Sequence, residues 1–104
     1  CRPPVRYMAP PAPAPPTTKY VVIGESAGRT MDEIMAVYPR HRTVVDEFVD
    51  RGGVVGIGPF TDGGNMAIFR TEAAAEEFAR RDPFIREGLV ASFTIRPWVD
   101  AQLS

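Results

Sequence analysis

The hydrophobic pattern of the chain predicts four β-strands. The first strand, Lys19 to Glu25, contains an unbroken apolar and β-branched run, Tyr20 to Ile23, which is typical of a strand covered on both faces. Residues 54–60 and 65–70 form the middle strands, joined by a glycine-containing hairpin turn. The last strand, residues 89–98, alternates between two faces. Its first face carries Leu89, Ala91, Phe93 and Ile95, and its second face carries Ser92, Thr94, Arg96 and Trp98.

A helix interrupted by a proline is predicted between the first two strands. Thr30 and Glu33 match a capping box, in which the hydroxyl caps the helix and the glutamate reaches back. Because Pro39 has no N–H group to donate, a first segment should end near Tyr38 and a second should begin at Pro39. The apolar face of the second segment consists of Val44, Val45, Phe48 and Val49.

A second helix is predicted between the third and fourth strands. Thr71 caps it, and its exposed side carries glutamate–arginine pairs at i,i+4 spacing. Its inner stripe is Ala74, Ala75, Phe78 and Ala79. An Asp82-Pro83 corner closes this helix, and Gly88 turns the chain into the last strand.

The predicted order of elements, β-α-β-β-α-β, indicates an α+β fold of the ferredoxin-like type. In that arrangement both helices cover one face of a four-stranded antiparallel sheet. The other face then needs cover as well, and a second copy of the chain is the usual solution. We therefore expect a homodimer in which two sheets pack face to face as a dimeric α+β barrel.

The chain before the first strand is rich in proline and has nothing large to bury. Residues 1–18 are therefore expected to be a disordered leader, and residues 19–104 to form the folded domain. We expect Met8 to be the natural start. The alternative is a lipoprotein attached through Cys1, which no apolar signal segment supports.

Composition excludes several functional classes. The formal net charge is −1 and no basic stripe is present, so a nucleic-acid partner is not expected. No apolar run approaches the roughly 20 residues that span a bilayer, so no membrane partner is expected either. The single cysteine, at position 1, is typical of a reducing, cytoplasmic location. No metal-ligand spacing or nucleotide-binding glycine motif is present, so no metal and no cofactor are expected.

The residues that remain for chemistry are His41, Asp82 and Arg96. His41 should face the buried side of its helix, near the positive end of the second segment, which favours the neutral imidazole. An acidic partner would fix its tautomer, and the sequence leaves open which effect dominates. Asp82 can cap the short turn after Pro83, or it can pair with His41. On spacing alone, a lone histidine is more often a hydrogen-bonded core residue than a catalyst.

Two glycines of the second strand, Gly56 and Gly58, fall on one face. They allow either the close approach of a helix or room for a ligand.

Four short motifs together resemble the YciI-like (YCII-related) family, over nearly all of Lys19 to Trp98. They are Pro39-Arg40-His41, Gly56-Ile57-Gly58-Pro59-Phe60, Arg81-Asp82-Pro83-Phe84 with Gly88-Leu89-Val90, and Ile95-Arg96-Pro97-Trp98. The resemblance implies a ferredoxin-like fold, a homodimer of the α+β barrel type, and a pocket whose His and Asp fall on His41 and Asp82. It also implies a hydrolase- or lyase-like activity, since one branch of the family removes chloride from a chlorinated aromatic ring.

These observations leave two functional hypotheses. As an enzyme, the protein would use His41 as a general base, oriented by Asp82, on a small cyclic or aromatic substrate. Gly58 and Pro59 would then shape the pocket wall, and Arg96 would either hold an anionic group or be a surface residue of its strand. As a non-catalytic module, the same pocket would bind a small-molecule metabolite, or the dimer would serve as an accessory subunit. We expect His41 and Asp82 to converge in one pocket, within hydrogen-bond reach directly or through one water molecule.

Overall fold

The computed structural model describes residues 17–101, which form a four-stranded antiparallel sheet with three helices. The elements are β1 Thr17–Ser26, α1 Met31–Asp50, β2 Val54–Pro59, β3 Asn65–Phe69, α2 Glu72–Arg81, α3 Pro83–Arg86 and β4 Val90–Asp100. The strands lie in the order β2-β3-β1-β4. This confirms the predicted α+β class, the antiparallel sheet and the order of its elements, to which α3 adds a single short turn.

The predicted boundary of the leader is wrong by two residues. Thr17 and Thr18 belong to β1, where they pair with Asp100 and Val99 of β4. The long β4 strand supplies the partners that extend β1 in this direction. The rest of the predicted leader, residues 1–16, lies outside the described residues.

The core lies between the sheet and the two longer helices. Phe69 of β3 is fully buried, and its ring centre lies 5.7 Å from that of Phe48 on α1 and 5.0 Å from that of Phe78 on α2. Val22 of β1 and Ala67 of β3 pack in the same cluster. The predicted inner stripe of α2 is confirmed. On α1, Val45 and Phe48 are buried as expected and Val44 packs against them, but Val49 is 52 % exposed, so its predicted place on the buried face is wrong.

The predicted break at Pro39 is wrong, since α1 runs without interruption from Met31 to Asp50. Val37 and Val45, on either side of the proline, are both buried, so both halves of the helix pack against the rest of the domain. Pro39 itself is exposed, as is Met35, whose carbonyl group Pro39 cannot bond. Tertiary packing therefore outweighs the local preference of the proline. His41 consequently lies in the middle of α1, and its predicted position near a helix N-terminus is wrong.

The two faces of the sheet have different surroundings. One face packs on the helices, which we call the helix face. We call the other the open face. Because antiparallel partners share a face, the pairings of Val21 with Ile68 and with Arg96 place all three on the open face, together with Trp98. A groove of about 330 Å³ runs between these side chains. No helix in the described part of the chain is long and apolar enough to cross a membrane.

Candidate functional site

Asp82 occupies the corner between α2 and α3. It ends α2 in an extended conformation, with ψ at 118°, and its side chain accepts a hydrogen bond from the backbone N–H of Phe84 at 3.1 Å. Pro83 then occupies the first turn of α3, where its missing N–H costs nothing. The capping role proposed for Asp82 is confirmed. The residue is only 2 % exposed, so its carboxylate needs partners within the protein.

His41 is the second partner of that carboxylate. Its Nδ1 lies 2.7 Å from Oδ1 of Asp82, although 41 residues separate the two in sequence. The expected convergence of the pair is therefore present in the structure, and it coexists with the cap. The catalytic role of the pair stays a prediction.

The partners of Asp82 fix the tautomer of His41. The Asp82 oxygen that accepts from the Phe84 N–H also faces Nδ1, so Nδ1 is assigned as a donor and carries the hydrogen. In the neutral ring, Nε2 then has a free lone pair. No fully buried side-chain nitrogen or oxygen lacks a hydrogen-bond partner within the described residues, so the unbonded Nε2 retains access to solvent. This is the arrangement that a general base requires.

Aromatic rings hold the imidazole in place. Phe84 stacks on it with ring centres 4.0 Å apart and an interplanar angle of 12°. Phe78 meets it edge-on at 6.3 Å, and Tyr38, one turn earlier on α1, is tilted at 6.0 Å. Since Phe84 directly follows the Asp82-Pro83 corner, one short segment supplies both the acceptor and the stacking partner of His41.

His41 and Asp82 line a cavity of about 390 Å³ between α1 and the helix face of the sheet. Gly58 and Pro59 contribute to its wall, as the sequence predicted. The other lining side chains are mostly apolar, among them Val22, Ile34, Met35, Ile57, Met66 and Ile85. Such a space is of a size that accepts a small molecule.

Arg96 does not belong to this cavity. It pairs with Val21 and lies on the open face, whereas its neighbour Ile95 packs towards the core. Arg96 therefore does not line the His41 cavity, which favours the alternative of a strand-surface residue over the binding of an anionic group. Arg42, next to His41 on α1, is instead the arginine that lines the cavity. The sequence signal for it was simply its adjacency to His41.

The glycines of β2 do not serve the close approach of a helix. Gly56 and Gly58 pair with Ile68 and Met66, which places them on the open face. A Cβ atom built on either glycine would meet nothing within 4 Å among the described residues. The interpretation as helix-packing glycines is wrong, and Gly58 reaches the cavity through its backbone.

Ion pairs brace the elements that carry the site. Arg40, next to His41, forms a two-pronged ion pair with Glu87 at the end of α3, and this hydrogen bonding lowers the pKa of Glu87. Arg81 of α2 binds Glu47 of α1 and also Glu77 of its own helix. Hydrogen bonds from Arg51 and Arg81 lower the pKa of Glu77. Within the described residues, no group of three or more His, Cys, Asp or Glu side chains forms a metal site.

A comparison with models of protein families identifies the family of this chain. The family model of the YCII-related domain matches residues 18–99, which is most of this chain. The chain belongs to the YCII-related family. The resemblance seen in the four motifs is thereby confirmed. A search of the curated proteins found no significant match to this YCII-related chain.

A solved structure shares the fold. It is 5-chloro-2-hydroxyhydroquinone dehydrochlorinase from Burkholderia phenoliruptrix AC1100, in complex with 2,5-dihydroxybenzoquinone. The two chains align with a TM-score of 0.65 over 77 % of this chain and 92 % of the other, at 18 % sequence identity. At this identity the likeness concerns the fold.

Proposed function

We propose that this YCII-related protein is a hydrolase- or lyase-type enzyme in which His41 acts as the general base on a small cyclic or aromatic substrate. The observation that carries the proposal is the Nδ1–Oδ1 contact of 2.7 Å at the wall of a cavity of about 390 Å³. It joins a base, its orienting partner and room for a ligand in one place. Gly58 and Pro59 act in this proposal as parts of the cavity wall.

The geometry assigns a role to each member of the pair. Nε2 of His41 takes a proton from the substrate or from a water molecule that attacks it. Asp82, which accepts from Nδ1–H, holds the ring in that tautomer and stabilises the imidazolium that forms. Phe84 restricts rotation of the ring, so the lone pair keeps its direction.

A lyase reaction of this kind balances without a cofactor. In the keto tautomer of a chlorinated hydroquinone, one hydroxyl proton has moved to the ring carbon that carries chlorine. Nε2 would remove the proton of the remaining hydroxyl group, and the electron pair of that O–H bond would form a carbonyl group. The adjacent ring double bond would shift to the carbon that carries chlorine, and chloride would leave with the electron pair of the carbon–chlorine bond, which gives a quinone. The substrate thus loses one proton and one chloride ion. The dehydrochlorinase that shares the fold makes this class the first to test.

The cavity walls support a ring-shaped substrate. Apolar side chains from the sheet, such as Val22 and Ile57, face apolar side chains of the helices, such as Ile34 and Phe78. A flat apolar ring gains from burial between such walls at about 25 cal/mol for each Å² removed from water. A long or highly charged substrate would gain little there.

A substrate panel tests this proposal. Chlorinated hydroquinones, with chloride release as the readout, and small esters and lactones, with proton release as the readout, should include at least one compound that is turned over. His41→Ala should lower kcat/KM about 10²- to 10⁴-fold. Added imidazole should restore part of the activity. Arg96→Ala, on the open face, is the matched control and should leave the activity unchanged.

Two outcomes would count against the enzyme. Equal turnover by the wild type and His41→Ala would remove His41 from the reaction. Binding without turnover in every assay would favour the alternative, a module that holds a metabolite without converting it.

We also propose that two copies of the chain pack through their open faces. Val21 and Ile68 give this face an apolar centre, Trp98 is 43 % exposed beside it, and Gly56 and Gly58 leave it shallow along β2. A solvent-exposed apolar sheet face of this kind is unusual on a monomeric protein. Burial against an identical face would remove it from solvent.

Sedimentation equilibrium at micromolar concentration should give twice the chain mass of 11.4 kDa. Ile68→Lys should give the single mass, because the charge would be buried without a partner. Ala36→Lys, on the exposed side of α1, is the control and should keep the double mass. A wild-type protein of single mass at these concentrations would contradict the dimer.

A further inference from the structure

Asn65 is the one hydrogen-bonding side chain that the sheet contributes to the His41 cavity, within the described residues. The strand residues that line the cavity are otherwise apolar or glycine: Val22, Gly24, Ile57, Gly58, Pro59, Met66 and Ala67. Asn65 begins β3 and pairs with Gly24 of β1 and Pro59 of β2. Since Ala67 and Phe69 lie two and four residues later and are buried under the helices, Asn65 shares the helix face.

The chain makes room for this amide at Gly24. A Cβ atom built on Gly24 would lie 2.4 Å from Oδ1 of Asn65, which is too close for two unbonded atoms. The backbone of Gly24 does not have a positive φ, so its conformation alone does not require glycine. A methyl group at this position would therefore displace the end of the Asn65 side chain, and it would also lie 3.0 Å from Cγ1 of Val90.

The amide is not used by the protein itself. In residues 17–101 its side chain makes no hydrogen bond, and no fully buried side-chain nitrogen or oxygen there lacks a partner, so the amide is in contact with solvent. It lines both the main cavity and an adjoining space of about 130 Å³. Its two N–H donors and its acceptor oxygen are therefore available to a ligand.

We propose that Asn65 binds an oxygen atom of the ligand and gives the cavity its preference for rings that carry a hydroxyl or carbonyl group. The proposal rests on the proposed function in taking the His41 cavity as the ligand site. His41 lies on the helix wall and Asn65 on the sheet wall. A ring held between these walls can therefore present an oxygen to the sheet while it presents its reacting group to Nε2.

A pair of probes of similar shape tests this role. Phenol and toluene differ in that a hydroxyl replaces a methyl group, and NMR titration gives the ratio of their affinities for each variant. Asn65→Leu preserves the volume of the side chain and removes its hydrogen bonds. It should lower the phenol-to-toluene affinity ratio about five- to tenfold. Thr94→Val, a similar change on the open face, should leave the ratio unchanged.

A second variant, Gly24→Ala, keeps the test valid if Asn65→Leu does not fold. Gly24→Ala keeps the amide but places a methyl group where Oδ1 lies, so it should lower the same ratio. Far-ultraviolet circular dichroism checks that both variants fold. An unchanged ratio in both, or no binding of either probe to the wild type, would overturn the proposal.

The His41→Ala background separates this proposal from the proposed function. The effect of Asn65→Leu should persist there, because it does not pass through the imidazole. If the ratio instead depends on His41 and not on Asn65, the oxygen is bound by the base, and the role of Asn65 is refuted while the enzyme hypothesis stands. If His41→Ala leaves turnover intact while Asn65→Leu still lowers the ratio, the enzyme hypothesis for His41 is refuted and the role of Asn65 stands.

Discussion

The two faces of the sheet are built from the same strands but have acquired different chemistry. On the helix face, Val22 and Phe69 are buried, and the helices bring His41 and Asp82 together beside a cavity. On the open face, Val21 and Ile68 surround a shallow groove that contains Arg96. Neighbouring residues in one strand therefore have unrelated roles. The assignment of a residue to a site depends first on the parity of its position in the strand, and only then on its chemical type.

Truncation of adjacent residues in β3 should show the largest difference between the faces. Phe69→Ala should lower the free energy of unfolding by about 3–5 kcal/mol, because it empties the centre of the Phe48 and Phe78 cluster. Ile68→Ala should cost less, and its cost should grow with protein concentration if the open face joins two copies. Urea denaturation at several protein concentrations measures both. Equal, concentration-independent costs would mean that the faces do not differ.

Removing the carboxylate of Asp82 should have the next largest effect. Asp82→Ala leaves both the Phe84 N–H and Nδ1 of His41 without their acceptor, in a place closed to water, and should cost about 2 kcal/mol of stability. Asp82→Asn retains an acceptor oxygen and should cost less. Nitrogen-15 NMR of the single histidine should show the hydrogen on Nδ1 in the wild type and a mixture of tautomers in Asp82→Asn. A wild-type ring with its hydrogen on Nε2 would contradict the assigned geometry.

The helix face could be predicted where local geometry fixed each side chain. Asp82 was placed by a corner that proline enforces, and His41 by the apolar side of its helix, so their convergence followed from short stretches of sequence. Pro39 misled the prediction because its local cost is smaller than the packing of Val37 and Val45 on either side of it. Local preference gives way wherever a helix is held along its whole length.

The sheet was harder to predict, because its contacts depend on register. Alternation separated Ile95 from Arg96 correctly, but it did not say which set the helices would cover. Asn65 was missed for the same reason. At the end of a glycine turn it has the character of a turn residue, and its role depends on its pairing with Gly24, which is 41 positions away. Register is a property of strand pairs, so a single strand does not reveal it.

Substitution of the strand glycines should also distinguish the two faces of the sheet, with a smaller effect on the free energy of unfolding. On the open face a methyl group at Gly56 would meet nothing within 4 Å, and the backbone there has no positive φ. The Ile68→Lys variant is expected to be monomeric. In that background, Gly56→Ala should raise the free energy of unfolding by about 0.5 kcal/mol, because alanine reduces the conformational entropy of the unfolded chain. Gly24→Ala, on the helix face, should lower it, because Asn65 occupies that space. A loss of stability from Gly56→Ala would show that something covers the open face.

The smallest expected effect concerns the ion pair that braces the cavity. Hydrogen bonding from Arg40 lowers the pKa of Glu87 below its ordinary value, so the folded state holds this proton less tightly than the unfolded chain does. The stabilising contribution is therefore fully present above the ordinary pKa of a glutamate and is lost as the pH falls through the lowered value. Glu87→Gln should accordingly lower Tm slightly at pH 7 and leave it unchanged near pH 2. Both side chains are largely exposed, so high salt should shrink the difference at pH 7.

Asp46→Asn is the matched control, because it removes the i,i+4 partner of Arg42 and that ion pair lies within α1 alone. A larger loss from Asp46→Asn than from Glu87→Gln would mean that the brace between α1 and α3 adds nothing to the stability of the cavity side.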